Sequence, residues 1–139
     1  MKFYTSYYDN AVNLPKQNSF LISISGGIDK AIQDQINSWN TKLAPSWSIY
    51  QQYKESQDWQ RYVERYQLEI LNTISFAEYY HMLSATEYDN IIFLCYERPD
   101  EFCHRHIIAE TIQQQCNIVV DEYGFEGSER HNFRISKAP

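Results

Sequence analysis

The chain has no apolar run approaching 18 residues, so no segment of it reads as a membrane-spanning helix. It has no excess of basic charge either. Twelve Lys and Arg stand against eighteen Asp and Glu, for a formal net charge of −6. That balance excludes the broad cationic footprint of a protein that grips duplex DNA. Lys54, Arg61, Arg65, Arg98 and Arg105 are scattered among acids, which leaves room for a nucleotide-sized anion but not for a sequence-specific DNA reader. Internal repeats and low-complexity linkers are missing. The opening MKFYTSYYDN carries no apolar stretch of signal-peptide length. Three cysteines, Cys95, Cys103 and Cys116, make an odd set in a sizeable domain. Reduced thiols and a cytoplasmic location are the expectation.

What is present is a globular composition. Of 139 residues, 43% are hydrophobic and 16% aromatic, and twelve are tyrosines. A chain of this length forms one domain, expected over 1–139, and buries about two-thirds of its unfolded surface without staples. Strand-like runs occur at 2–8 (KFYTSYY), 19–25 (SFLISIS), 91–96 (IIFLCY) and 117–121 (NIVVD). The continuous apolar run IIFLCY suits a strand buried on both faces. Helical spacing appears over 58–71, with Asp58 as N-cap, and over 75–84, where Ser75 and Glu78 form a capping box. A third helix is expected over 101–115 behind an Asp100 cap. Strands separated by helices predict an α/β class: a single Rossmann-like domain with a mostly parallel sheet flanked by helices. Residues 28–57 give no clear period and read as a binding loop or a set of short turns.

In such a sheet, ligands collect where the strands end. The first strand delivers Thr5, Ser6 and Tyr7 there, and the second delivers Ser23, Ser25, Gly26 and Gly27. The third delivers Cys95, Tyr96 and Glu97, followed by Cys103-His104-Arg105, and the fourth delivers Asp121, Glu122 and Tyr123. The stretch LCYERPDEFCHRH, 94–106, admits several chemistries. As a zinc site it would use Cys95, Cys103, His104 and His106, but the first arm is a lone cysteine, and two histidines two apart on a helix point about 200° apart. No metal site is expected on that spacing. As a nucleophile, Cys103 would sit near a helix start, where the helix dipole and a neighbouring His104 or Arg105 activate a thiol. Packing on the helix's apolar face is the competing role, and Cys95 reads as a small core residue. A phosphatase loop is excluded, because six residues beyond Cys95 stands Glu101, not arginine. As an anion pocket, the helix start would offer backbone donors and Arg105 a planar fork.

Ser25-Gly26-Gly27 matches neither a dinucleotide fingerprint nor a triphosphate loop, and a turn needing positive φ explains it equally. Trp39, Trp47, Tyr50, Tyr53 and Trp59 read mostly as the hydrophobic underside of a long loop, and Trp47 is the best exception as a residue to stack a base, because it follows Pro45 and Ser46 in a rigid turn.

The phrase IIFLCYERPDEFCHRHIIAE, 91–110, resembles the signature of the bacterial family called domain of unknown function 488. TSYYDN (5–10), SISGGI (23–28), KLAPSW (42–47) and the helix around Tyr62-Val63-Glu64-Arg65-Tyr66 are similar to it in the same order. The resemblance implies a compact intracellular Rossmann-like domain. Its motif residues would be Ser6, Ser23, Ser25, Lys42, Pro45, Trp47, Cys95, Tyr96, Glu97, Cys103, His104 and Arg105, gathered at one sheet edge. One departure is Gly26-Gly27, where relatives often carry a basic residue. The expected ligand is small and anionic, nucleotide-like or derived from nucleic acid. Glu97, His104 and Cys103 would supply chemistry, and Arg105 would hold the anion. A binding module without chemistry is the second reading. In the third, Glu97 and Arg105 pair simply to fix the turn.

Overall fold

A computed structural model describes residues 1–99 and 101–130. The sheet consists of β1 (Lys2–Tyr7), β2 (Ser19–Ser23), β3 (Ser38–Trp39), β4 (Asn90–Cys95) and β5 (Val120–Glu122). Its spatial order is β3-β2-β4-β1-β5, and every pairing is parallel. The helices are α1 (Trp47–Ser56), α2 (Trp59–Glu69), α3 (Phe76–Ser84) and α4 (His104–Cys116). The fold is the expected α/β class.

Alternation along the strands decides the layering. On β4, Ile91, Phe93 and Cys95 join one core cluster with Ile49 of α1, Tyr66 of α2, Phe76 of α3 and Ile108 of α4. Ile92 and Leu94 point the other way, into a second cluster with Tyr8, Ala11, Leu14 and Ile32. All four helices therefore serve one face, while short turns and loops cover the other. Because both faces of β4 are dry, its sequence is continuously apolar rather than alternating.

The helix starts follow their caps. Asp58 accepts a hydrogen bond from the Arg61 amide at 3.1 Å, and Ser75 from the Glu78 amide at 3.3 Å, as the sequence predicts. The span 28–57 is more ordered than its sequence indicates. It contains β3 and α1, which is capped by Ser46 accepting from the Ile49 amide and closed by Gln57 in the left-handed conformation. Helix α1 buries only Ile49, so its apolar period is too faint to read.

Two boundaries also move. The third helix begins at His104, not 101, and Cys103 is its N-cap with extended backbone. Ahead of it, the Glu101 amide donates to the Arg98 carbonyl and the Glu101 carboxylate accepts from the Arg98 amide. Glu101 therefore closes a turn instead of starting a helix. The last strand begins at Val120, not 117, because Asn117 adopts a left-handed conformation that ends α4. The Asp100 cap and the tail 131–139, including His131, lie outside the described residues.

Candidate functional site

The connections leave the sheet in opposite directions at β2 and β4. After β2 the chain runs to the face covered by Ile32, and after β4 it runs into α4 on the opposite face. Such a divergence between neighbouring parallel strands opens a crevice at their carboxyl ends. A cavity of about 890 Å³ lies there. Ser25, Gly26 and Gly27 line it from β2, and Tyr96, Glu97, Cys103 and His104 line it from β4 and α4. Trp47, Tyr50, Tyr53 and Lys54 of α1 and Tyr62 of α2 form the opposite wall.

The aromatic wall is ordered by ring contacts. Tyr53 and Tyr62 each meet Phe102 at 4.9 Å between centroids, and Trp47 lies 5.7 Å from Tyr50. Trp47 is 73% exposed at the cavity mouth. Of the other tryptophans, Trp39 donates its indole N–H to the Ser25 carbonyl at 2.9 Å, and Trp59 packs against the core.

Behind the β2 wall, the Tyr8 hydroxyl lies 2.5 Å from Ser23 Oγ and 2.6 Å from Ser25 Oγ. Ser25 Oγ donates to the Gly27 carbonyl at 2.5 Å. These bonds hold the turn from below. Neither Gly26 nor Gly27 has the positive φ the sequence allowed for; only Gly124 and Gly127 do among the described glycines. A Cβ at Gly26 would meet nothing within 4 Å, so the glycines leave the wall open rather than relieve the backbone.

His104 is buried, and its Nε2 lies 2.7 Å from the Ile24 carbonyl. A carbonyl only accepts, so Nε2 carries the proton and Nδ1 is left bare, 3.7 Å from Cys103 Sγ. Burial depresses the His104 pKa to about 4, Arg105 adds to the drop, and the bond to Ile24 opposes it. The ring is neutral at ordinary pH. Glu97 is half-buried, and burial lifts its carboxyl above the usual carboxylate range despite opposing interactions with the backbone and Arg105. Such a group can give or take a proton nearer neutrality.

Cys95 and Cys103 are joined as a disulfide, with Cα atoms 7.8 Å apart. This departs from the expectation of three reduced thiols; Cys116 is the free one among them. The eight-residue separation concealed the approach, which arises because the loop after β4 folds back to start α4 beside the strand's end.

Arg105 does not serve as the cavity's anion fork. It is 0% exposed. Nε donates to Glu122 Oε1 at 3.1 Å and Nη2 to Oε2 at 2.9 Å. Nη1 donates to Cys95 Sγ at 3.1 Å and to the Glu97 carbonyl at 2.5 Å. The expected Glu97–Arg105 ion pair is replaced by a bond to the Glu97 backbone. Glu122 also receives Thr5 Oγ1 at 2.6 Å and Arg130 Nη1 at 3.4 Å. Arg130 Nη1 reaches His106 Nδ1 at 2.9 Å, so His106 faces away from His104, as helical geometry requires.

Of the sequence candidates, Ser25, Trp47, Tyr96, Glu97, Cys103 and His104 line the cavity. Ser6, Ser23, Cys95 and Arg105 are buried behind its walls. Lys42 is exposed on the turn Thr41–Leu43. Sequence reasoning gave no role to Tyr8, Glu122, Arg130 or Phe102. Glu122 was in view at the end of its strand, but nothing in the sequence joins it to Arg105.

A family model described as "Active DUF488-N3 subclade" matches residues 21–116, over two-thirds of the chain. No curated protein and no solved structure matches significantly.

Proposed function

We propose, for a chain that belongs to the DUF488 family, that the cavity takes a small nucleotide-like or nucleic-acid-derived ligand and acts on it chemically. The carrying observation is the aromatic wall of Trp47, Tyr50, Tyr53 and Tyr62 facing Glu97, Cys103 and His104 across one 890 Å³ space. A planar base stacks on such a wall, at about 1–3 kcal/mol per base. The anionic end has two supports. Lys54 is the cation on the wall. The N-terminus of α4 has no side-chain cap, so no side-chain acceptor offsets the positive end of its helix dipole. Glu97 acts as acid or base, with Cys103 and His104 beside the reacting group. Cys103 reacts only once its bond to Cys95 is reduced, which suits a cytoplasmic location.

A non-catalytic binding or regulatory module is the second reading. It is favoured by the ion pair that occupies Arg105 and by Cys103 being 2% exposed.

Titration calorimetry with adenosine, guanosine, their 5′-monophosphates and short single-stranded DNA tests both readings. We expect a monophosphate to bind more tightly than its nucleoside, and Trp47→Ala to weaken it about tenfold. Product formation lost in Glu97→Gln supports the enzyme; binding without product supports the module. If no member of the panel binds, or if Trp47→Ala binds like the parent, the ligand class is wrong.

A further inference from the structure

We propose that Cys95, Cys103 and His104 form a three-ligand site for a thiophilic divalent metal, zinc by its donor set, with the fourth position open to the cavity. The donor atoms of these three buried residues all lie within 4.8 Å of one another. They come from a strand end and a helix start that the fold sets side by side, which is why the spacing in sequence argues against a site that the geometry assembles.

The imidazole is already aimed. His104 donates Nε2–H to the Ile24 carbonyl and turns Nδ1 toward Cys103 Sγ. Metal-bound histidines are oriented in this way, one ring nitrogen held by a backbone carbonyl while the other ligates. The thiols fit as well. A relaxed disulfide spans about 4.4–6.8 Å between Cα atoms, and here the separation is 7.8 Å. Two sulfurs each about 2.3 Å from a tetrahedral zinc stand roughly 3.8 Å apart, and the wider backbone spacing accommodates that.

The charges are also matched. Two thiolates neutralise a divalent ion, Arg105 Nη1 already donates to Cys95 Sγ at 3.1 Å, and Cys103 sits at the N-cap of α4, where a thiolate meets the positive end of the helix dipole. Two cysteines and one histidine with an open fourth position is the donor set of a catalytic rather than a structural zinc. Cys103 and His104 line the cavity and Cys95 lies behind it, so the open position faces the space where a ligand would sit.

The binding form is the dithiol. A phosphine reductant with one water opens the disulfide, giving two thiols and the phosphine oxide. Metal entry then releases the two thiol protons with no electron transferred. This site adds to the ligand-binding reading but does not need it, because its test uses no nucleotide.

The test is anaerobic titration of the reduced, chelator-stripped chain with cobalt(II), followed by zinc. We expect one equivalent to bind, with thiolate-to-cobalt charge transfer in the near ultraviolet and visible bands of tetrahedral intensity that zinc abolishes. Cys116→Ser should give the same spectrum, and Cys103→Ser and His104→Gln should bind at least tenfold more weakly. The parent spectrum stands as evidence even where a variant fails to fold. A weak octahedral spectrum, recovery of the disulfide only, or an unchanged spectrum in a folded Cys103→Ser variant would overturn the site.

Discussion

Arg105 and Glu122 meet through two parallel hydrogen bonds, 3.1 and 2.9 Å long, with both side chains wholly inside the protein. Arg130 shares Oε1 of the same carboxylate at 3.4 Å. One acid thus holds two buried guanidinium groups, and the two arginines are not equivalent to it in consequence. Glu122→Gln leaves both cations without their counter-charge, whereas Arg105→Ala leaves the carboxylate with Arg130. Breaking a buried pair costs about 3–5 kcal/mol, which lowers the melting temperature by on the order of 10 °C in a domain of this size. We expect both variants to lose stability in urea denaturation, with Glu122→Gln the worse. The reverse order would mean that Arg105's bonds to Cys95 and the Glu97 carbonyl matter more than the ion pair.

Acid should destabilise the metal-free chain earlier than carboxylates alone explain. Burial depresses the His104 pKa to about 4 and moves that of His106 well below its ordinary 6.5, with Arg105 and Arg130 adding to the latter drop. The unfolded chain takes up these protons near pH 6.5, and the folded chain resists. Stability is therefore complete above about pH 6.5 and falls as the pH drops toward 4. His104 alone accounts for about 3 kcal/mol over that interval. Urea midpoints measured with chelator between pH 4 and 8 should show this slope, and His104→Gln should flatten it. A midpoint constant down to pH 5 would contradict the depressed values.

Glu97 carries the opposite sign. Its pKa is raised, chiefly by burial, so the folded state favours the protonated acid relative to the unfolded chain. Stability present at low pH is lost as the pH rises through the folded pKa. Glu97→Gln resembles the protonated form. It should melt higher than the parent at pH 7, with the gap closing at pH 4. Differential scanning calorimetry at the two pH values decides this, and an equal or lower melting temperature at pH 7 would contradict a carboxyl raised by burial.

The sheet was legible because the strands carry their burial in their composition. IIFLC of β4 is apolar throughout and is buried throughout. The caps Asp58 and Ser75 were legible because one side chain decides each. Helix α1 was not, because WSIYQQYKES presents its aromatics to the cavity instead of burying a stripe. For the site, the motif stretch does reach the cavity at the strand ends, but residue type did not reveal direction. Arg105 is a cation beside a helix start and looks like an anion fork until the distant Glu122 takes it inward. Cys95 and Cys103 come together for the same reason: the pairing partner lies on another element, and one sequence does not record the distance between elements.

Trp47 separates recognition from folding. It is 73% exposed, so its truncation removes little buried area, and a surface change of this kind stays within about 0.5 kcal/mol. The ring nevertheless borders the cavity beside Tyr50, where a stacked base would contribute about 1–3 kcal/mol. Tyr62 is its counterpart. It lines the same cavity but is buried, packed edge-on against Phe102 at 4.9 Å, so Tyr62→Ala should lose several kcal/mol of stability through a core cavity. The expected pattern is that Trp47→Ala weakens binding of a purine nucleoside monophosphate about tenfold at an unchanged melting temperature, while Tyr62→Ala lowers the melting temperature. If Trp47→Ala instead melted several degrees lower, the indole would be a packing residue of α1, and the aromatic wall would lose its claim to a stacked ligand.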